Sequence, residues 1–83
     1  MTDGQRDTRR ILDAARAIFD GRSAEHDLGA ILTTLEGVVS CVLLAVMQND
    51  PRKAAGMLNE GLVPGVESRL ASTAVARAQK GRP

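Results

Sequence analysis

The chain has 83 residues with one cysteine and one histidine, so it forms one domain at most and can make neither an internal disulfide nor a four-ligand zinc site. Phe19 is its single aromatic residue, which argues against a base-stacking platform for single-stranded nucleic acid. The formal net charge of +1 gives no bulk attraction to nucleic acid or anionic lipid, and so short a domain is expected to gain stability by oligomerising.

The N-terminal residues are polar and lead straight into an amphipathic segment, which is not the pattern of a secretory signal peptide. Arginine outnumbers lysine and alanine is abundant, a usage that is common in GC-rich bacterial genomes. We therefore expect a bacterial, cytoplasmic protein in which Cys41 stays reduced.

The first predicted helix begins near Thr2 or Asp7 and ends at Asp20, with Gly21 as its stop and residues 1–6 frayed. Apolar residues at helical spacing form one stripe, made of Ile11, Leu12, Ala15, Ile18 and Phe19. Charged residues occupy the opposite side, namely Arg6, Arg9, Arg10, Asp13, Arg16 and Asp20. This pattern is typical of a surface helix that packs through one face.

Residues 8–19, with the sequence TRRILDAARAIF, resemble the first helix of TetR-type transcriptional repressors. In that family a helix-turn-helix follows soon afterwards, and the resemblance would imply DNA binding. This chain continues instead with LGAILTTLE over residues 28–36, which contains no recognisable turn or recognition helix. We interpret the arginines of residues 8–19 as a solvated face.

The second predicted helix spans Leu28 to Asn49, after a polar linker in which Ser23 or Asp27 provides the N-cap. Its large apolar residues fill one broad arc, made of Leu28, Ile31, Leu32, Leu35, Val38, Val39, Val42, Leu43 and Val46. Small residues form an i, i+4 row on the remaining arc, made of Gly29, Thr33, Gly37, Cys41 and Ala45. Glycine disfavours a helix, so we expect close packing of another helix against this row.

Asn49, Asp50 and Pro51 predict a break followed by a new helix, because aspartate is a good N-cap and proline is favoured at the first helical position. The third helix is predicted to be short, over residues 51–60, and to end at Gly61.

Residues 62–65, with the sequence LVPG, are predicted to form a turn before a fourth helix from Pro64 to Ala78 or Lys80. Residues 80–83 are expected to fray.

Three isolated residues have side chains that could carry chemistry. Cys41 lies among apolar residues with no basic neighbour one turn away, so we expect a buried, inert thiol. We expect Glu36 at the solvent edge of the second helix, or else paired with an arginine of the first or fourth helix. We expect His26 to be an exposed loop residue. No catalytic, cofactor-binding or metal-ligating set is predicted.

The second helix is close to the length of about 20 residues that spans a bilayer. Glu36, the polar residues Thr33, Thr34 and Ser40, and the lack of a flanking basic cluster or aromatic belt argue against a membrane span. We therefore expect no membrane insertion.

The predicted fold is all-α, a single domain over residues 1–83. It is a bundle of about four helices around the long apolar helix, completed by dimerisation. An apolar helix must be covered nearly all round, and the other segments offer too few large side chains to cover this one.

The predicted function is that of a non-enzymatic protein-protein interaction module, a small regulatory, adaptor or inhibitor protein that acts as a homodimer and binds an unidentified protein. Two alternatives stay open: a DNA-binding regulator that uses the arginine face, and a carrier of a small apolar ligand. We expect no cofactor and no metal. The predicted interface residues are Gly29, Thr33, Gly37, Cys41, Ala45, Leu35, Val42 and Val46.

Overall fold

The computed structural model describes residues 2–81, and this part of the chain is all-helical, as predicted. The helical elements are α1 (Asp3–Phe19), α2 (Ala24–Val46), α3 (Pro51–Met57), a π-helical segment (Leu58–Leu62) and α4 (Val63–Lys80). Because α3, the π-helical segment and α4 follow one another without a break, the described residues form three helices where about four were predicted.

A capping box starts α1. The backbone N–H of Gln5 donates to the Thr2 hydroxyl at 3.2 Å, and the Thr2 N–H donates to the Gln5 side chain at 2.9 Å. At the other end, Asp20 and Gly21 both adopt left-handed backbone angles, with φ of 49° and 71°. The helix therefore stops where the glycine predicted it. Residues 3–6 and Lys80, which were predicted to fray, are helical, whereas Met1 and residues 82–83 of the same predicted segments lie outside the described residues.

Of the two predicted caps for α2, Ser23 is the one used, because its hydroxyl accepts from the Glu25 N–H at 3.2 Å. Asp27 lies inside the helix with non-helical angles (φ −118°, ψ 22°). Its carboxylate reaches back to accept from the Ser23 N–H at 3.2 Å. The helix therefore starts at Ala24, earlier than the predicted Leu28.

The C-terminal end of α2 lies at Val46, earlier than the predicted Asn49. Gln48 and Asn49 take φ angles of 56° and 63° in the left-handed region. The Asn49 N–H donates to the Leu44 carbonyl at 2.7 Å, which is the long bond of a Schellman-type helix end.

The predicted helix start at Asp50 and Pro51 is confirmed. The Asp50 carboxylate accepts from the backbone N–H groups of Arg52 at 3.0 Å and Lys53 at 3.2 Å. Pro51 occupies the first turn, where its missing N–H costs nothing.

Replacing Asp50 with alanine is expected to lower the free energy of unfolding by about 1 kcal/mol, because two N–H groups lose their acceptor. Asp50→Asn is the matched control, since asparagine caps about as well as aspartate. Urea unfolding monitored by circular dichroism measures both variants, and equal stability of Asp50→Ala and the unmodified protein would contradict the cap.

The predicted helix end at Gly61 and the predicted turn over residues 62–65 are wrong, because the chain stays helical from Pro51 to Lys80. In an α-helix, the Pro64 ring would clash with the carbonyl one turn earlier. The π-helical segment lies just before this proline, and the Val63 N–H bonds to the Leu58 carbonyl across its wider turn. A widened turn lets the helix pass a proline that would otherwise end it.

Very few side chains are buried. The chain divides into two compact units, residues 1–39 and residues 40–83. Among the described residues, Ile31 at 6% exposure is the buried side chain of the first unit and Ala54 at 7% that of the second. Helix α4 has no buried residue. Each unit thus holds one buried apolar side chain, far short of an ordinary domain core.

Candidate interaction surface

Arg22 ties the end of α1 to the middle of α2. Its guanidinium donates to the carbonyls of Phe19 at 3.0 Å and Ile18 at 2.6 Å, and to the Thr34 hydroxyl at 3.0 Å. The two carbonyls belong to the last turn of α1, where a cation also interacts favourably with the helix dipole. One side chain therefore caps α1 and fixes where α2 crosses it within the first unit.

Replacing Arg22 with alanine is expected to lower the free energy of unfolding by about 1–2 kcal/mol, since a charged donor and three hydrogen bonds are lost. Arg22→Lys keeps the charge but not the planar fork, so it is expected to recover only part of that loss. Unfolding in guanidinium chloride measures the free energy of unfolding of both variants. Identical stability of Arg22→Ala and the unmodified protein would show that the hydrogen bonds of Arg22 contribute nothing to the free energy of unfolding.

An apolar cleft of about 350 Å³ lies between α1 and α2 in the first unit. All of its lining side chains are apolar, namely Ala15, Ile18, Phe19, Ala24, Leu28, Ile31, Leu32 and Leu35. Leu28 is 54% exposed and Phe19 is 44% exposed. The apolar stripes of α1 and α2 thus meet on one side of the hairpin that these two helices form, and the side chains there remain partly exposed.

The small-residue row of α2 is open where its glycines lie. A β-carbon built on Gly29 or Gly37 would meet no heavy atom within 4 Å. Thr33 donates its hydroxyl to the Gly29 carbonyl at 2.9 Å, so this side chain is satisfied within its own helix. Cys41 is exposed, and the prediction of a buried thiol is wrong for the single chain.

The predicted interface residues fall into three groups on α2. Leu35 lines the cleft between α1 and α2. Gly29 and Gly37 belong to the open row, which also contains Thr33, Cys41 and Ala45, while Val42 and Val46 are exposed. Sequence reasoning missed that Phe19 and Ala24 complete one cleft with Leu35, although the stripe of α1 was the available signal.

Glu36 and His26 are both exposed, as predicted for a solvent-edge carboxylate and a surface histidine. His26 lies in the first turn of α2, however, and not in a loop. Within residues 2–81, no three His, Cys, Asp or Glu side chains lie close enough together to hold a metal ion.

The arginine side of α1 is exposed and mixed in charge. Arg16 lies 3.8 Å from the Asp13 carboxylate, and both side chains are largely solvated. Arg6, Arg9 and Arg10 are exposed on the same helix as Asp3 and Asp7. The acidic residues dilute the positive potential that a phosphate backbone would need.

Helix α2 is long and apolar enough, by length and composition, to cross a membrane. Only 6% of its most apolar window is buried. Comparisons of the chain with protein-family models, curated proteins and solved structures found no significant match.

Proposed function

We propose that this protein is a homodimeric helical interaction module that acts by binding a protein partner and not by catalysis. The observation that carries the proposal is how little each unit buries. Among the described residues, Ile31 is the buried side chain of the first unit and Ala54 is that of the second, whereas an ordinary domain core contains many buried apolar side chains.

Much of the exposed surface is apolar and is spread over several helices. Leu12 and Phe19 of α1, Leu28 of α2, and Val66 and Leu70 of α4 are each more than two-fifths exposed. Apolar surface shared by two neighbouring helices, as at the cleft between α1 and α2 in the first unit, marks sites of association. Binding is the function that this exposed apolar surface supports best.

A membrane could also cover α2, but it would explain less of the molecule. The apolar surface continues from Leu28 and Leu32 onto Phe19 of α1, whose opposite side is charged. Glu36 lies within the apolar stretch of α2, where a carboxylate is costly in lipid. A second protein surface accommodates both features, since its edges stay in water.

The test is the mass of the protein in solution. We expect the protein to be recovered without detergent, and light scattering at micromolar concentration to give twice the chain mass of 8.8 kDa. A stable, cooperatively folded species at the single-chain mass would refute the homodimer. Recovery only from the membrane fraction would refute it in favour of a spanning helix.

A further inference from the structure

We propose that the continuous helix from Pro51 to Lys80 contains a redox-sensitive hinge, residues 57–64, which opens when Met57 is oxidised. The closed state is the continuous helix of the structure. In the open state the helix ends at Gly61 and a new helix starts at Pro64. Because all of these residues lie within the second unit, the hinge operates in a single chain and does not require the homodimer.

Two residues of the hinge favour the open state. Glycine weakens a helix interior and is common just past a helix end, which describes Gly61. Proline has no N–H for the helix ladder, and the ring of Pro64 opposes the carbonyl one turn earlier. The closed state bridges them with a wide turn, in which the Val63 N–H bonds to the Leu58 carbonyl. These signals narrow the difference in free energy between the closed and the open state.

Met57 supports the closed state by packing its sulfur over Gly61. A β-carbon built on Gly61 would lie 2.7 Å from Met57 Sδ and 4.0 Å from Met57 Cγ. Helical side chains lean toward the N-terminus of their helix, so a side chain at position 61 would point back toward Met57. The thioether fills that space instead. It covers backbone that a glycine otherwise leaves exposed to water within a helix.

The Met57 sulfur is also within reach of a dissolved oxidant. Met57 is 40% exposed and lines an open groove with Lys53 and Met47. Met47 is less exposed than Met57. Since an oxidant must reach the sulfur to react, we expect Met57 to be oxidised before Met47.

The oxidant of the proposal is a small peroxide, such as hydrogen peroxide. A lone pair of Met57 Sδ attacks one peroxide oxygen, so that an S–O bond forms while the O–O bond breaks. The leaving hydroxide takes up the proton of the transferred oxygen and departs as water. The sulfur loses two electrons and the peroxide gains them. The product is methionine sulfoxide, whose side chain is polar where the thioether was apolar.

A sulfoxide covers Gly61 less well than a thioether does. Its oxygen is a hydrogen-bond acceptor, and against the carbon atoms of a glycine it would have no donor. Lys53 lies one turn before Met57 and lines the same groove, so its ammonium offers a donor on the side away from Gly61. Oxidation therefore draws the side chain off Gly61, and the exposed backbone favours the open state.

The first experiment oxidises the full chain with hydrogen peroxide and follows each methionine by peptide mapping with mass spectrometry. Met57 is expected to be converted to its sulfoxide before Met47. Met57→Leu and Met47→Leu are the matched variants, because leucine keeps a similar apolar volume and forms no sulfoxide. Oxidation of Met47 ahead of Met57 would overturn the proposal.

The second experiment measures the hinge by hydrogen–deuterium exchange. After oxidation the amides of residues 58–65 are expected to exchange about tenfold faster, because the contact of one partly buried methionine is worth about a factor of ten in an equilibrium constant. Met57→Leu is expected to exchange equally before and after peroxide, and Met47→Leu to respond like the unmodified chain. Unchanged exchange at residues 58–65, or equally faster exchange throughout α1 and α2, would overturn the hinge.

Pro64→Ala separates a hinge with two states from a simple loss of contact. Without the proline, a regular α-helix can pass position 64, so the open state loses its main advantage. Oxidised Pro64→Ala is therefore expected to keep residues 58–65 protected, with peptide mapping as the check that Met57 carries the oxygen. If these amides exchanged as fast as in the oxidised unmodified chain, Pro64 would play no part in the opening and the proposed hinge would be refuted.

Discussion

Diluting the protein tenfold is expected to lower its thermal midpoint by about 4 °C. The proposed homodimer gives this result, because a copy that buries one side chain in each unit would need its partner to stay folded, and unfolding and dissociation would then be one step. Two chains of 83 residues unfold with an enthalpy of about 120 kcal/mol at the usual value per residue, and the shift follows from that enthalpy. Circular dichroism at 222 nm, from micromolar to hundred-micromolar concentration, measures it.

The matched control for dilution is a tandem chain in which a flexible linker joins two copies. Its unfolding is unimolecular, so its thermal midpoint is expected to be independent of concentration and above that of the unlinked protein at low concentration. A midpoint of the unlinked protein that does not move with concentration would show that the single chain folds by itself, and the homodimer proposal would fail.

Short-range signals in the sequence predicted several helix ends well. Asp50 and Pro51 begin a helix, and Gly21 ends one, because caps and stops depend on a few neighbouring residues. The same kind of local signal gave a wrong helix end at Gly61 and a wrong turn at Pro64. Both residues favour a helix end, but the chain stays helical through the π-helical segment that precedes Pro64. No single residue in the sequence indicates this wider turn.

The cleft was predictable only in part. The stripes of α1 and α2 follow from spacing, so their members Phe19 and Leu28 could be named from the sequence. Arg22 connects the two helices through its hydrogen bonds to Ile18 and Thr34. Arg22 lies in the linker, and the sequence does not show whether its long side chain points toward the helices or into solvent. The burial of Cys41 was misjudged because an apolar neighbourhood in sequence does not supply a covering segment in space.

Replacing Ile31 with alanine is expected to lower the free energy of unfolding by about 3 kcal/mol, within the range for deleting a buried aliphatic side chain. Ile31 is 6% exposed and is the buried side chain of the first unit among the described residues, so its removal leaves a cavity where the unit is most closely packed. Ile31 also lines the apolar cleft between α1 and α2, so its loss would enlarge that cleft. Ile31→Val should cost about 1 kcal/mol.

Leu70→Ala is the matched control for Ile31→Ala, because it removes a comparable side chain that is 65% exposed on α4. Its effect on the free energy of unfolding is expected to stay within about 0.5 kcal/mol, as for surface changes in general. Guanidinium unfolding at one fixed protein concentration compares the two, since dimer stability depends on concentration. If Ile31→Ala unfolded at the same denaturant concentration as Leu70→Ala, the contact between α1 and α2 would contribute nothing to stability.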